Sequence, residues 1–245
     1  MREKINVMTS PQSLHITPAF ACPIADIMLP GMNAVNSRLR DLFLQWEADS
    51  NRKRLSEPTR VIKVGVYESD FQLFARDHPD LKMLATLCLQ HLGYLVAKLN
   101  GYSNDEMSRL RIYHHSWYHL TRNGGYTAAH NHPMASWSGV YCVDPGDPAP
   151  DNVVNNGTLR FLDSRTIGNG YMDRGNAYLE SPYSIADLAY NLQAGMLLLF
   201  PSYMVHEVAP YFGKRERITV AFNAWLRDYR EPVGEPAFII NRNSE

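Results

Sequence analysis

The chain has 245 residues, a net charge of −1, and is 45% hydrophobic and 20% charged, which suits a globular protein with a sizeable core and gives no basic surface for nucleic acid. Cys22, Cys88 and Cys142 are scattered and without C-x-x-C spacing, which argues against a disulfide scaffold and favours a reducing compartment. The start, MREKINVMTSPQSLH, lacks an apolar signal core, and no window nears ~20 consecutive apolar residues, so the expectation is a cytoplasmic protein with no membrane partner.

In chain order, the first periodic stretch is NAVNSRLRDLFLQWEA, where Val35, Leu39, Leu42, Phe43 and Trp46 share one helical stripe. The basic run NRKRL at 51–55 reads as a solvated helix end. TRVIKVGVYES is rich in Val and Ile and predicts a strand. PDLKMLATLCLQHLGYLVAKLNG predicts a second helix, with Leu81, Leu84, Cys88, Leu92, Leu95 and Leu99 on its stripe. Pro79 starts it and Asn100-Gly101 stops it.

After residue 101 the helical period disappears and short β-prone runs alternate with turn signals. RLRIYHHSWYHL is followed by a turn at Asn123-Gly124-Gly125 and then by YTAAHNH. SWSGVYCV, a Pro- and Asp-rich loop at 144–157, and TLRFLD come next, then AYNLQ, GMLLLFPS, HEVAPY and RITVAFNAWL. The stretch 168–183 reads as a long surface loop over the site. The pattern predicts a mainly β domain spanning 1–245: a helical N-terminal segment, 1–100, packed on a jelly-roll core, 101–230.

His130 and His132 lie two apart, so in a strand they share a face with Ala128 and Tyr126. His206 lies far downstream, after an apolar strand and a Pro-containing turn, where a neighbouring strand can bring it to the same ion. Neutral imidazole suits iron, zinc, copper or nickel, and two histidines with a carboxylate is the non-haem iron(II) pattern. Here His132 stands where that carboxylate belongs. Asp163 is the stand-in if one is required, because Glu207 should face away from His206. His114, His115 and His119 read as surface or satisfied core residues.

In RITVAFNAW, alternation places Arg217, Thr219, Ala221 and Asn223 on one face. A buried arginine needs a partner; a carboxylate ligand would supply one, with Thr219 adding a hydroxyl, and an ion pair to Asp163 or Glu207 is the structural alternative. Ser138 and Asn223 face the same presumed pocket. Trp137, Tyr141, Tyr171 and Tyr178 form either an aromatic mouth or core.

The run His130-Asn131-His132-Pro133 through Trp137-Ser138-Gly139-Val140-Tyr141, with the stretch Gly195 to Asn223, resembles the iron(II)/2-oxoglutarate-dependent oxygenases. The resemblance covers roughly 110–226, in the branch with an H-x-H-P-x-x-x-W-S-G-V-Y pattern. It implies a double-stranded β-helix, the fold shared with cupins. It further implies Fe(II) held by His130, His132 and His206, 2-oxoglutarate bound through Arg217, and a small-molecule or peptide substrate oxidised by molecular oxygen. Two other readings stay open. A cupin-type three-histidine dioxygenase would keep the histidines but have no use for Arg217, and a jelly-roll binding module would hold no metal.

Overall fold

The computed structural model describes residues 15–49, 61–163, 173–184 and 187–230. The first apolar stripe winds as α1 (Asn33–Ala48), burying Val35, Leu39 and Phe43. The second winds as α2 (Pro79–Asn100), with Pro79 in its first turn and Gly101 closing it at φ 68°. Arg38 grips Asp80 through two hydrogen bonds, of 2.9 and 2.6 Å, and ties the two helices together. Leu99 is 47% exposed, against the expected stripe; the i+4 step from Leu92 lands instead on Val96, which is buried.

Nine strands, among the described residues, form one curled antiparallel sheet. In chain order they are β1 (Ala25–Met28), β2 (Lys63–Glu68), β3 (Leu110–His130), β4 (Trp137–Asp144), β5 (Leu159–Phe161), β6 (Leu188–Tyr190), β7 (Met196–Pro201), β8 (His206–Tyr211) and β9 (Arg217–Asp228). Their spatial order is β1-β7-β4-β9-β3-β8-β5-β6, with β2 on the side of β3. The half-barrel they make is the jelly roll that the strand pattern predicts. Strand β1 and the short helix α3 (Asn104–Arg109) were not expected. The latter is nucleated by a capping box between Ser103 and Glu106, a legible signal in an unpromising stretch.

The expected turn at Asn123-Gly124-Gly125 does not end a strand. Strand β3 runs through it for 21 residues, pairing with β9 from Leu110 to Thr121 and with β8 from Gly125 to His130. One strand therefore serves both walls of the half-barrel, and the glycines form the bend between them. A Cβ on Gly125 would sit 2.7 Å from the carbonyl oxygens of Arg122 and Gly65, so this crossing needs bare backbone.

Two cores follow. Leu197 and Leu199 of β7, with Ile218, Val220 and Phe222 of β9, pack against α1 and α2. Leu198 and Phe200 turn the other way, into the half-barrel, with Cys142, Leu159 and Phe161. Strand β7 is apolar without alternation because both of its faces are buried. The inner face is where the histidines collect.

Candidate metal centre

His130 is the last residue of β3 and pairs directly with His206, the first of β8. Their ring centroids lie 4.3 Å apart. His132 sits two residues past the end of β3, where its backbone N–H donates to Ser202 O at 2.9 Å and turns the ring back toward the other two. Its centroid is 5.0 Å from that of His130 and 5.2 Å from that of His206. One ring nitrogen from each of the three falls within 4.8 Å of the others.

The backbone prepares two of these rings as ligands. His130 Nδ1 lies 2.8 Å from Ala128 O and His206 Nδ1 lies 2.9 Å from Met204 O. A carbonyl only accepts, so each Nδ1 carries the proton and each Nε2 keeps its lone pair. Fixing the ring through the other nitrogen is how proteins orient imidazole toward a metal. Burial lowers the pKa of all three histidines, to about 4 for His132 and about 3 for His206, and the neighbouring imidazoles push the same way for those two. Neutral, clustered and part-walled by the Phe161 and Phe200 rings, the set suits a divalent transition cation. Among the described residues no carboxylate joins the cluster.

Along β9 the same cavity is lined by Arg217, Thr219, Ala221 and Asn223. Arg217 is only 4% exposed, yet among the described residues no hydrogen bond or ion pair satisfies its guanidinium. Burial depresses its pKa. Gly157, at φ 63°, leaves room for its stem, since a Cβ there would lie 2.9 Å from Arg217 Cδ. Burying a cation without a partner is costly, and an anion entering the cavity would offset that cost. Further along, Ser138 Oγ donates to Asn223 Oδ1 at 2.7 Å and meets Ser202 Oγ at 2.8 Å.

Several expectations fail here for identifiable reasons. Register shifts between Gly125 and Thr127, and again before His130, break the alternation of β3. Thr127 therefore reaches the histidine cavity as well as an outer groove, while Tyr126 borders only that groove, with Arg160 and Glu207. Glu207 accepts from Arg160 Nη1 at 2.7 Å rather than pairing with Arg217. Asp163 donates its N–H to Asp187 and lies outside the histidine cluster. Tyr141 is core, its hydroxyl donating to Asn36 Oδ1 at 2.7 Å, and Trp137 packs toward the helices. Tyr178 is exposed beside Arg174. Tyr171, the run 51–55 and part of the loop 168–183 lie outside the described residues.

The cavity also holds His119, a satisfied core residue as expected, and Trp117, for which the sequence raised no expectation. Trp117 and His119 line it from β3. His119 Nε2 lies 2.7 Å from Glu68 Oε2, and Lys63 Nζ lies 2.8 Å from the same oxygen. Burial raises the Glu68 carboxyl, but the bonds from His119 and Lys63 outweigh it and hold the group at about 2. The signal was the alternation 115, 117, 119, hidden because the glycines at 124–125 read as the end of a strand.

Residues 115–223 match the family described as "Putative 2OG-Fe(II) oxygenase". No curated protein matches the sequence. Among solved structures, a prolyl-4-hydroxylase from Pseudomonas putida is 15% identical over 84% of this chain and 92% of its own, with a TM-score of 0.51. A prolyl hydroxylase from Trichoplax adhaerens, in complex with a hypoxia inducible factor peptide fragment, is 14% identical over 84% of each chain, with a TM-score of 0.51. The epimerase SnoN, in complex with Fe3+, alpha ketoglutarate and nogalamycin RO, is 14% identical over 85% of this chain and 80% of its own, with a TM-score of 0.52. At these identities the likeness is one of fold.

Proposed function

We propose that this chain, whose residues 115–223 belong with the 2OG-Fe(II) oxygenases, is an iron(II)- and 2-oxoglutarate-dependent dioxygenase acting on a small-molecule or peptide substrate. The observation that carries the reading is Arg217, a buried guanidinium with no partner among the described residues, in the cavity of the three histidines. A three-histidine site alone has no need of it.

In this reading His130, His132 and His206 hold Fe(II), and Arg217 with Thr219 receives the far carboxylate of 2-oxoglutarate. Iron, cosubstrate and molecular oxygen supply the oxidising chemistry; the protein supplies position and electrostatics. Three neutral imidazoles leave the cation's charge undiminished, where a carboxylate ligand would cancel one unit. That deficit favours a dianion in the remaining positions, and Arg217 adds to the attraction. Phe161 and Phe200 keep water off His206. Asn223 and Ser138, bonded to each other, line the same cavity and could orient substrate or cosubstrate there. The fold serves a peptide in the Trichoplax adhaerens hydroxylase and a small molecule in SnoN, so both classes are compatible with it.

Anaerobic visible absorption tests the reading. Adding iron(II) and then 2-oxoglutarate should raise a charge-transfer band that needs both and weakens in Arg217→Ala. The all-histidine cluster favours one alternative, a three-histidine dioxygenase that uses no cosubstrate; iron binding with no band would select it. Failure to bind iron would leave a metal-free binding module.

A further inference from the structure

Beyond the cavity, β3 and β9 continue as a two-stranded ribbon, their register running from Thr121–Arg217 out to Leu110–Asp228. Strand β4 leaves β9 at Ala224, opposite Trp137. One face of the ribbon sends Ile112 and Leu226 into the helical core. By alternation, the other face continues the inner surface of the metal cavity. It presents His115, then the cross-strand pair Tyr113–Trp225, then the pair Arg111–Arg227. Tyr113, His115, Trp225 and Arg227 line a groove of about 410 Å³ there. Aromatic contacts join it to the cavity: Trp117 to Phe71 at 5.0 Å, Phe71 to His115 at 6.4 Å, and His115 to Trp225 at 5.0 Å between centroids.

Arg111 directly opposite Arg227 is an unfavourable cross-strand pair. Arg111 donates to the carbonyls of Ser108 and Leu110 and rests on the Tyr229 ring, which does not neutralise it. Among the described residues, neither arginine has a carboxylate partner. An anion lying between them would satisfy both. From Asn223 at the cavity to Arg227 is four residues of strand, about 14 Å. A molecule that reaches both places is extended.

We propose, on the basis of the oxygenase reading, that this ribbon is the docking track for an extended acidic peptide segment. Its reacting residue enters the three-histidine cavity, its chain passes over Trp225 and Tyr113, and an acidic side chain settles between Arg111 and Arg227. A nucleic acid draws most of its affinity from several cations along its phosphates, and the described track offers a single arginine pair at one end.

The test is fluorescence anisotropy of a fluorescein-labelled decapeptide of alternating glutamate and alanine, titrated with the full chain at low salt. The peptide should bind, its glutamine–alanine counterpart should not, and Arg111→Gln with Arg227→Gln should weaken binding by about tenfold or more. No binding, equal binding of the neutral peptide, or indifference to the double substitution would overturn the proposal. So would full displacement by succinate, which would assign the pair to a small anion, or tighter binding of a single-stranded oligonucleotide. The iron- and 2-oxoglutarate-dependent band, recorded on the same double variant, should persist. Loss of that band in the parent chain would instead defeat the oxygenase reading.

Discussion

His130 and His206 face each other across the β3–β8 ladder, and each has its Nδ1 proton committed to the carbonyl two residues before it. The two imidazoles are therefore aimed by backbone, before any metal arrives. Removing either should cost far more than removing a neighbour. His130→Ala and His206→Ala are each expected to weaken iron(II) binding by about 100-fold or more, measured by competition with a chelator. His132→Asp should keep iron bound, since it restores the two-histidine, one-carboxylate set. Iron retention unchanged in His206→Ala would remove it from the ligand set.

If Arg217 receives the far carboxylate of 2-oxoglutarate, its burial serves binding at a cost to stability. Replacing it by Met should raise the thermal midpoint of the metal-free protein, because a buried charge with no partner among the described residues is exchanged for apolar volume. The same change should weaken 2-oxoglutarate binding by about 100-fold, or ~3 kcal/mol. Arg217→Lys should recover only part of it, having the charge without the fork. Calorimetry on both variants decides; a destabilised Met variant would mean that Arg217 has a structural partner.

The bend of β3 predicts a contrast between adjacent glycines. Gly124, at φ 77°, has nothing within 4 Å of where a Cβ would go, so Gly124→Ala should cost about 1 kcal/mol of backbone strain. Gly125→Ala would press on the carbonyls of Gly65 and Arg122 and should cost about 3 kcal/mol or more, reducing iron binding with it. Equal denaturant midpoints for the two would show that the crossing tolerates side chains.

Glu68 sets a pH dependence. Its carboxyl is near 2 in the fold against an ordinary 4.5, so the unfolded chain takes up a proton that the fold resists. The stabilisation is complete above about pH 4.5 and is lost as pH falls toward 2, and it amounts to on the order of 2–3 kcal/mol. Glu68→Gln should be less stable than the parent chain at pH 7, and the two should converge as pH approaches 2. A constant difference across that range would show that the carboxylate's charge contributes nothing.

Much of this site is visible in one dimension. The pair His130-x-His132, the downstream His206 and the face Arg217, Thr219, Asn223 follow from motif spacing and strand alternation, which are local. Tyr126 and Thr127 exchange roles because a bulge is invisible to alternation. His119 and Glu68 meet only because β2 pairs with β3, placing residues 51 apart at 2.7 Å.

What the sequence alone determined was the kind of protein: two amphipathic helices, a run of short strands, and ligand types spaced for a metal with a basic residue beyond. These are properties of periodicity and of side-chain chemistry, and they survive without coordinates. What only the tertiary structure decided was company. It joined two expected strands into one bent β3, left Arg217 without Asp163 or Glu207, and, among the described residues, placed no carboxylate in the cluster of His130, His132 and His206. It also set Arg111 against Arg227. Pairing across a sheet depends on register, and register is chosen by the packing of both faces at once.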